Sequence, residues 1–345
     1  MLKRLSHHIT ALSIIATVCS CAPQQPIRLI GEAQGTYYTI IYYDKEQRNL
    51  HEAIDSLLKD FDMTASLWEE SSLIRRVNRN EDSIVNSLYA DMLQKSVDIN
   101  CLTGGKFDCT IGPLVNAWGF GFKNEQLPSA QTIDSLRQYT GVQPRLDTSA
   151  DGQIKIIKPS PFTEIDFNAI AQGYTSDMVA KFLENKGIDS YIVDIGGEVI
   201  AHGYKPNGES WVVGVEQPAK NKYSSPEIAL SVRLDNMAVV TSGSYRKYHE
   251  KDGMRYSHTI DPSTGYPVNH TLLSVTVIDT TSWRADALAT AFMVMGKDSS
   301  LAFMESHPEA VPTKAVMFIY SEGDENKIYS TKEFTSLIKN RQRTI

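Results

Sequence analysis

The sequence has no extended run of basic residues, and acidic side chains outnumber basic ones. Its 345 residues include 34 Lys and Arg against 41 Asp and Glu, a formal net charge of −7. Nucleic-acid binding depends on clustered Lys and Arg that neutralise phosphates, so we expect no nucleic-acid partner. With 41% hydrophobic and 22% charged residues, the composition also excludes a disordered, fibrous or integral membrane protein.

Cysteine is scarce, since the chain contains only 4. Cys19 and Cys21 lie at the end of the N-terminal leader, which leaves Cys101 and Cys109 for the folded body. A pair of cysteines does not make a disulfide framework, and no Cys-x-x-Cys or His-Glu-x-x-His spacing predicts a zinc site. Two buried free thiols and a single optional bridge both stay open.

Several signatures of nucleotide-binding proteins and hydrolases are missing too. No Gly-x-Gly-x-x-Gly opens a βαβ unit, and no Gly-x-x-x-x-Gly-Lys-Ser/Thr phosphate loop occurs. The Gly-x-Ser-x-Gly elbow of triad hydrolases is also absent. The sequence therefore predicts neither a Rossmann-type dinucleotide site nor a phosphate loop, and it disfavours a Ser-His-Asp hydrolase.

The N-terminal leader differs in composition from the rest of the chain. Lys3 and Arg4 precede an apolar stretch at residues 9–18, and small residues follow up to Cys21. This order is typical of a secretory signal, and the apolar stretch is too short to span a bilayer as a helix.

Residues 18–21, Val-Cys-Ser-Cys, resemble a bacterial lipobox, in which the last Cys becomes the lipidated first residue of the mature chain. Cys21 is the predicted lipidation site, because bulky Val18 precedes the alternative, Cys19. We predict a lipoprotein signal peptide over residues 1–20 and a tether over 21–30. An ordinary cleaved signal that happens to contain Cys is the other interpretation.

Hydrophobic periodicity predicts strands and helices that do not alternate regularly, which disfavours a doubly wound parallel sheet. We predict a single α+β body over residues 31–345, with mixed, largely antiparallel sheets and packed helices. A capping box at Ser330 to Glu333 predicts the start of a C-terminal helix. The predicted strands are 36–43, 154–157, 191–195, 211–215, 228–234, 272–279 and 315–320, and the other predicted helices are 51–61, 88–102, 171–186 and 284–295.

Residues 104–121 are rich in glycine and aromatic side chains. Glycine permits positive φ and a close approach of a ligand to the backbone, and Trp118 and Phe120 offer rings that could pack on a flat ligand. A helix end followed by a buried turn accounts for part of the same composition. Further along, Asp166 leads through small residues into a helix, whose N-terminus suits phosphate oxygens or simply requires a cap.

Two further positions carry groups that suit catalysis. Asp286 and Thr290 are spaced i, i+4 in an apolar helical stretch, so a carboxylate and a hydroxyl share one face. Hard oxygen ligands favour Mg²⁺ over zinc if a metal binds there, and a helix-start Asp with a back-bonded Thr is the alternative. The segments 241–248 and 257–265 flank a charged turn at 250–253, which predicts a hairpin or neighbouring strands. There His258 is either a general base or a packing residue.

Taken together and in this order, these segments resemble the ApbE family, the FAD:protein FMN transferases of bacterial envelopes. Each motif alone is weak, but the ordered set from about residue 35 to 296 is specific. The motifs are Met63-Thr64 with Ser72 and Asn78 downstream, Gly-Gly-x-Phe-Asp ending in Trp-Gly-Phe-Gly, residues 166–177, Asp-Ile-Gly-Gly-Glu at 194–198, Thr-Ser-Gly-x-Tyr, Ser-His-x-Ile-Asp-Pro-x-Thr-Gly, and Ala-Asp-Ala-Leu-Ala-Thr.

The resemblance implies a T-fold-like domain with FAD in a cleft. It also implies Mg²⁺-dependent transfer of the FMN moiety of FAD to a Thr or Ser hydroxyl of an acceptor protein, with release of AMP. By the same resemblance, His258 would be the catalytic base, and the metal would be held by Asp286, Thr290 and the backbone oxygen of Ala169. The residues implied in FAD binding are Met63, Asn78, Ala117, Trp118, Gly119, Asp166, Gln172, Thr241, Ser242, Gly243 and Ile260.

Two positions depart from the family pattern. Gln172 stands where Lys is more frequent, which removes a cation from the predicted phosphate contacts, and Ser244 stands where Asp is common. An FAD pyrophosphatase and a non-enzymatic flavin-binding lipoprotein stay open as alternatives. The resemblance further implies a lipid-anchored protein of the bacterial envelope that faces the periplasm. Its implied acceptors are flavin-carrying subunits of envelope electron-transport complexes.

Overall fold

The computed structural model of the chain describes residues 24–121, 127–218, 227–244, 248–251, 254–323 and 325–341. Within these ranges no helix is both long and apolar enough to cross a membrane. The predicted signal peptide, Cys19 and the predicted lipidation site Cys21 lie outside the described residues.

Helices and strands follow one another irregularly, as the sequence predicts. The helices of the described ranges are α1 (His51–Ala65), α2 (Leu73–Asn78), α3 (Ser87–Leu102), α4 (Gly112–Ala117), α5 (Ala130–Leu136), α6 (Ala171–Asn185), α7 (Ser282–Met295), α8 (Lys297–Ser306) and α9 (Lys332–Leu337). The strands are β1 (Ile27–Ala33), β2 (Thr36–Tyr42), β3 (Ile84–Val85), β4 (Arg145–Thr148), β5 (Ile154–Ile157), β6 (Tyr191–Ile195), β7 (Glu198–His202), β8 (Trp211–Glu216), β9 (Ile228–Leu234), β10 (Met237–Gly243), β11 (Tyr248–Lys251), β12 (Met254–Ser257), β13 (Ile260–Asp261), β14 (Tyr266–Pro267), β15 (Leu272–Asp279), β16 (Ala315–Glu322), β17 (Glu325–Ser330) and β18 (Ile338–Arg341).

The centre of the fold is an 8-stranded sheet in the order β1-β2-β6-β7-β10-β15-β16-β17. Every neighbouring pair in this sheet is antiparallel. A 3-stranded sheet, β18-β9-β8, and a second one, β3-β5-β4, accompany it, together with the β11-β12 and β13-β14 hairpins. The prediction of an α+β protein with largely antiparallel sheets is therefore confirmed.

The central sheet is buried on both faces, and strand β16 shows how. Its side chains alternate between the faces, so Val316 and Phe318 join the cluster of apolar residues from α3 and α7, while Met317 and Ile319 pack with the β18-β9-β8 sheet. Helix α7 is apolar on almost all sides and forms the middle of the helical layer. Truncating a fully buried Phe such as Phe318 to Ala costs about 3–5 kcal/mol in comparable cores.

The predicted strands at 154–157, 191–195, 228–234 and 272–279 match the observed ones. Three local predictions need correction. Strand β1 begins at Ile27, inside the range predicted as a tether, because Leu29 and Ala33 pack into the core under the sheet. The N-cap of α9 is Thr331 and not Ser330, since the Thr331 hydroxyl accepts the Phe334 N–H.

The third correction concerns the predicted hairpin around residues 250–253. Strands β11 and β12 do pair antiparallel there, with Tyr248 opposite Ser257. Thr241 to Gly243, however, belong to β10 and pair with β15 in the central sheet. The cysteines of the body are both free, so no bridge forms, and Cys109 is buried whereas Cys101 is exposed.

Candidate active site and metal centre

The first turns of α6 and α7 approach each other unusually closely at Gly173. A Cβ atom at this position would lie 2.5 Å from the carbonyl oxygen of Ser282 and 2.8 Å from the Cβ of Asp286. Only glycine fits such a contact without moving one of the two helices. Gly173 therefore permits the short distance between the start of α6 and the predicted metal ligand Asp286.

Neither helix is capped by the side chain of its own N-cap residue. The carboxylate of Asp177, on α6, accepts the N–H groups of Ser282 and Trp283 at the start of α7, each at 2.9 Å. The carboxylate of Asp286, on α7, accepts the N–H of Gly173 in the first turn of α6 at 3.1 Å. Each helix thus supplies an acceptor for first-turn donors that the other leaves unpaired, and we call this arrangement the reciprocal cap.

The two carboxyl groups of the reciprocal cap both hold their protons more tightly than usual. Burial raises the pKa of Asp286 to about 7, the Gly173 N–H lowers it, and the charge of Asp177 raises it further. Burial likewise raises the pKa of Asp177 to about 6, against the lowering effect of the two α7 amides and of Lys95. A bound cation would relieve the cost of burying these negative charges.

The predicted metal ligands lie on neighbouring elements and present oxygen only. Asp286 and Thr290 are on α7, and Ala169 directly precedes the N-cap residue of α6. In the described ranges, no group of 3 or more His, Cys, Asp or Glu forms a metal cluster. One carboxylate with a hydroxyl and a carbonyl fits Mg²⁺, which often keeps waters and substrate phosphates as its remaining ligands.

Strand β10 brings its predicted residues to two different faces of the sheet. The Ser242 hydroxyl lies 3.4 Å from that of Thr290, so Ser242 faces α7. Thr241 points to the other face, where its hydroxyl lies 2.9 Å from that of Thr276. The alternation of side chains along a strand makes this separation unavoidable. Of the two, Ser242 is thus the one placed next to the candidate metal centre.

The segment that leads into α6 is held from both sides. The Asp166 N–H donates to the Cys109 carbonyl at 2.7 Å, and the Asp166 carboxylate accepts the Asn168 N–H at 2.7 Å. The side-chain amide of Asn78 donates to the Ile165 carbonyl and accepts the Ile165 N–H, both at 2.8 Å. Asn78 was predicted to bind the cofactor, but the structure uses both ends of its amide to position the residue before Asp166.

Gln172 and Met63 are two further residues that were predicted to bind FAD. Gln172 lies against the β6-β7 turn, where its side-chain amide leaves no room for a Cβ at Gly196. Gln172, which stands where Lys is more frequent in the family, therefore contacts the Asp-Ile-Gly-Gly-Glu motif. Met63 lies on α1 with 39% of its surface exposed, and its role in FAD binding stays a prediction.

A second group of predicted residues surrounds Trp118. Its indole N–H donates to the Gly265 carbonyl at 2.8 Å, and its ring stacks on Tyr256 with centroids 5.6 Å apart. Tyr256 thus covers one face of the Trp118 ring, and the role of Trp118 in FAD binding stays a prediction. Ile260 packs in the same buried cluster as Trp118. Ala117 and Gly119, on either side of Trp118, are half-buried.

The turn after His258 is clamped by residues that the sequence did not single out. Lys106 donates to both carboxylate oxygens of Asp261 at 3.1 Å, and Arg137 donates to the Ser263 carbonyl at 2.6 Å. His258 itself is half-buried, with its ring edge-on to Phe120 at a centroid distance of 6.3 Å. The clamp joins the His258 turn to the glycine-rich segment that carries Phe120.

Asp177, Gly173, Lys106 and Arg137 are the site residues that sequence reasoning missed. The available signal for Asp177 was its spacing, since Gly173 and Asp177 are i, i+4 on α6 just as Asp286 and Thr290 are on α7. Two clefts of about 350 and 290 Å³ lie elsewhere, beside α2 and α3, and no predicted site residue lines either of them.

Comparison with known proteins identifies the family of this chain. The model of the ApbE family matches residues 34–313. The chain belongs to the ApbE family. It is similar to the FAD:protein FMN transferase of Vibrio cholerae serotype O1, with 33% identity over 94% of this chain and 97% of that protein. It is also similar to the FAD:protein FMN transferase of Escherichia coli K12, with 33% identity over 90% of this chain and 88% of that one.

Solved ApbE structures share the fold described above. The apo form of the flavinyl transferase ApbE from Pseudomonas stutzeri matches with a TM-score of 0.79 and 34% identity, covering 93% of this chain and 99% of that one. The flavin transferase ApbE from Vibrio cholerae matches with a TM-score of 0.77 and 32% identity, covering 91% of this chain and 100% of that one. The fold and family predicted from the ordered motifs are therefore confirmed.

We predict that Gly173→Ala separates α6 from α7. Alanine is the better helix former by about 1 kcal/mol, but its Cβ would meet backbone atoms of Ser282 at 2.5–2.7 Å, and such overpacking costs about 1–3 kcal/mol. Thermal unfolding should therefore show net destabilisation and a smaller gain on adding Mg²⁺. Gly214→Ala on β8, where the new Cβ meets the flexible end of Ile228, is the matched control. A fully stable Gly173→Ala protein with normal Mg²⁺ response would contradict the close approach.

We predict that Asp286→Asn changes the pH dependence of stability in metal-free protein. Because the folded-state pKa is raised from 3.8 to about 7, native wild type keeps a proton that the unfolded chain loses, and its stability falls as pH rises through this window. The Asn variant lacks this fall and should be more stable than wild type at pH 8, by at least about 1 kcal/mol. Thermal midpoints of both proteins, measured from pH 4 to 8 with a chelator, test this difference. Parallel curves of midpoint against pH would contradict the raised pKa of Asp286.

Proposed function

We propose that this protein is an FAD:protein FMN transferase that requires Mg²⁺. The observation that carries the proposal is the buried Asp286 carboxylate at the reciprocal cap, with Thr290 one turn further along α7, in a chain whose curated relatives bear that name. Composition and the missing nucleotide signatures agree, because FAD would bind here through family-specific motifs rather than through a Rossmann unit.

The reaction we propose is a phosphoryl transfer from FAD to a protein hydroxyl. The oxygen of an acceptor Thr or Ser attacks the phosphorus of the FMN half, and the bond from that phosphorus to the bridging oxygen breaks. AMP leaves with the bridging oxygen, and the hydroxyl proton passes to His258. Such transfers depend mainly on positioning and charge stabilisation. When bound, Mg²⁺ would supply the positive charge that the pyrophosphate requires.

The described residues have separate tasks in this proposal. Asp286, Thr290 and the Ala169 carbonyl would hold the metal, while Gly173 keeps one Asp286 oxygen in place. Ser242 lies beside Thr290 and would contact the same phosphates. The residues proposed to line the FAD site are Met63, Ala117, Trp118, Gly119, Asp166, Gln172, Ser242, Gly243 and Ile260, and Thr241 only through its main chain, because its side chain lies on the other face of the sheet. Asn78 would act through Ile165 and not by direct contact.

Mass spectrometry of a candidate acceptor tests this proposal. After incubation with the protein, FAD and Mg²⁺, the acceptor should gain the mass of FMN less one water, on a Thr or Ser, and AMP should appear in equal amount. Free FMN and AMP with an unmodified acceptor would indicate a pyrophosphatase instead. Intact FAD would indicate a flavin-binding protein. An acceptor whose target Thr is replaced by Val is the control for the site of attachment.

His258→Ala should slow FMN transfer about 10²–10⁴-fold, the usual contribution of a positioned general base. FAD affinity and the thermal midpoint should change little, because Lys106 and Arg137 hold the following turn. A packing role would lower rate, FAD affinity and stability together, and a fully active variant would defeat the assignment.

We also propose that Cys21 carries lipid and anchors the protein in the bacterial envelope, facing the periplasm. The basic and apolar leader before Val-Cys-Ser-Cys supports this. The acceptors would then be flavin-carrying subunits of envelope electron-transport complexes. Cys21→Ala should release the protein from washed membranes, whereas Cys19→Ala should not. A Cys21→Ala protein that stays in the membrane fraction after high salt would count against the anchor.

A further inference from the structure

We propose that Asp177 is a positioning residue of the metal site. It would fix the start of α7 and thereby set the position of the Asp286 carboxylate relative to the backbone before α6. The inference rests on the proposed metal site, but its structural part concerns hydrogen bonds that exist without the metal.

The contact of Asp177 with α7 uses both of its carboxylate oxygens. One accepts the Ser282 N–H and the other accepts the Trp283 N–H, each at 2.9 Å. A bidentate contact of this kind fixes the position of α7 along α6 and also the rotation of α7 about its own axis. Ser282 and Asp286 are four residues apart, so they lie on one face of α7 in successive turns. Fixing the first of them therefore places the second.

The hydrogen bond between Gly173 and Asp286 is the second contact of the reciprocal cap. Gly173 and Asp177 are also four residues apart, on α6, and the Gly173 N–H donates to Asp286. The two helices are thus joined at two levels, Asp177 to Ser282 and Gly173 to Asp286. Because Ala169 directly precedes the N-cap of α6, the same two contacts set the distance between its carbonyl and the Asp286 carboxylate.

Packing around Trp283 supports a rigid contact and not a mobile one. The Lys95 ammonium of α3 lies 5.3 Å from the centre of the Trp283 ring and 2.6 Å from a carboxylate oxygen of Asp91. Tyr174 donates to the other oxygen of Asp91 at 2.7 Å. Helix α3 thus braces the junction of α6 and α7 from a third side. Without the Asp177 carboxylate, α3 would still cover the first turn of α7. The N–H groups of Ser282 and Trp283, however, would lose their acceptor.

Two substitutions of Asp177 distinguish a role that depends on the position of its carboxylate from one that depends only on its negative charge. Asp177→Asn keeps the shape of the side chain. Its amide has a single acceptor oxygen, however, and turns its NH₂ group toward one of the two N–H donors of α7. Asp177→Glu keeps the charge but adds a methylene in a close-packed interface. If Asp177 acts by position, both variants lose function. If it acts only through its charge, Asp177→Glu behaves as wild type.

Amide hydrogen exchange of Gly173 in metal-free protein is the first measurement. Asp177→Asn and Asp177→Glu should speed this exchange roughly tenfold, because Asp286 no longer stays aligned with the Gly173 N–H. The second measurement is Mg²⁺ affinity from the thermal midpoint as a function of Mg²⁺ in the presence of FAD. It should weaken about 10–100-fold in both variants, the range found for residues that orient metal ligands.

Thr331→Ala is the matched control, since it removes the helix cap of α9 on the opposite face of the central sheet. It should lower stability without changing either measurement. Unchanged Gly173 exchange in both Asp177 variants would overturn the inference, and so would normal Mg²⁺ affinity in Asp177→Glu. If wild type itself gains no stability from Mg²⁺, the proposed metal requirement fails, and the exchange result still decides whether Asp177 positions Asp286.

Discussion

Two carboxylates, Asp177 and Asp286, each accept main-chain N–H groups at the start of the other's helix. The other predicted metal ligands, Thr290 and Ala169, lie on or directly before the two helices that this exchange joins. Thr290 lies one turn beyond Asp286 on α7, and its hydroxyl contacts that of Ser242 on β10. Ala169 directly precedes the N-cap residue of α6. The contact requires that Gly173 have no side chain, so a single glycine and two acids define the geometry of the candidate site.

The same arrangement explains why the site suits a cation. Burial raises the pKa of both acids, to about 7 for Asp286 and about 6 for Asp177. The fold therefore tolerates two acidic groups whose full ionisation would be costly without a positive charge nearby. A divalent ion with a pyrophosphate would supply that charge and use the hydroxyl and carbonyl oxygens beside it. Stability and proposed function thus depend on the same contacts.

Local patterns in the sequence predicted four of the eight central strands, β2, β6, β15 and β16, and the shared face of Asp286 and Thr290. They failed where a contact joins distant parts of the chain. Helix α7 begins at Ser282 and not at Arg284 because its cap, Asp177, lies 105 residues earlier. Likewise, no local pattern shows that Tyr256 covers the Trp118 ring or that the Asn78 amide binds the Ile165 backbone. The resemblance supplied the reaction, which periodicity and spacing alone did not.

Anomalous diffraction from crystals grown with FAD and Mn²⁺ tests the central claim most directly, because Mn²⁺ shares the preference of Mg²⁺ for octahedral oxygen ligands. We expect one strong peak within bonding distance of the Asp286 carboxylate, the Thr290 hydroxyl and the Ala169 carbonyl. The FAD pyrophosphate should complete its coordination, with the Asp177 contacts to Ser282 and Trp283 intact. A peak elsewhere, or FAD bound with its pyrophosphate away from Asp286, would contradict it.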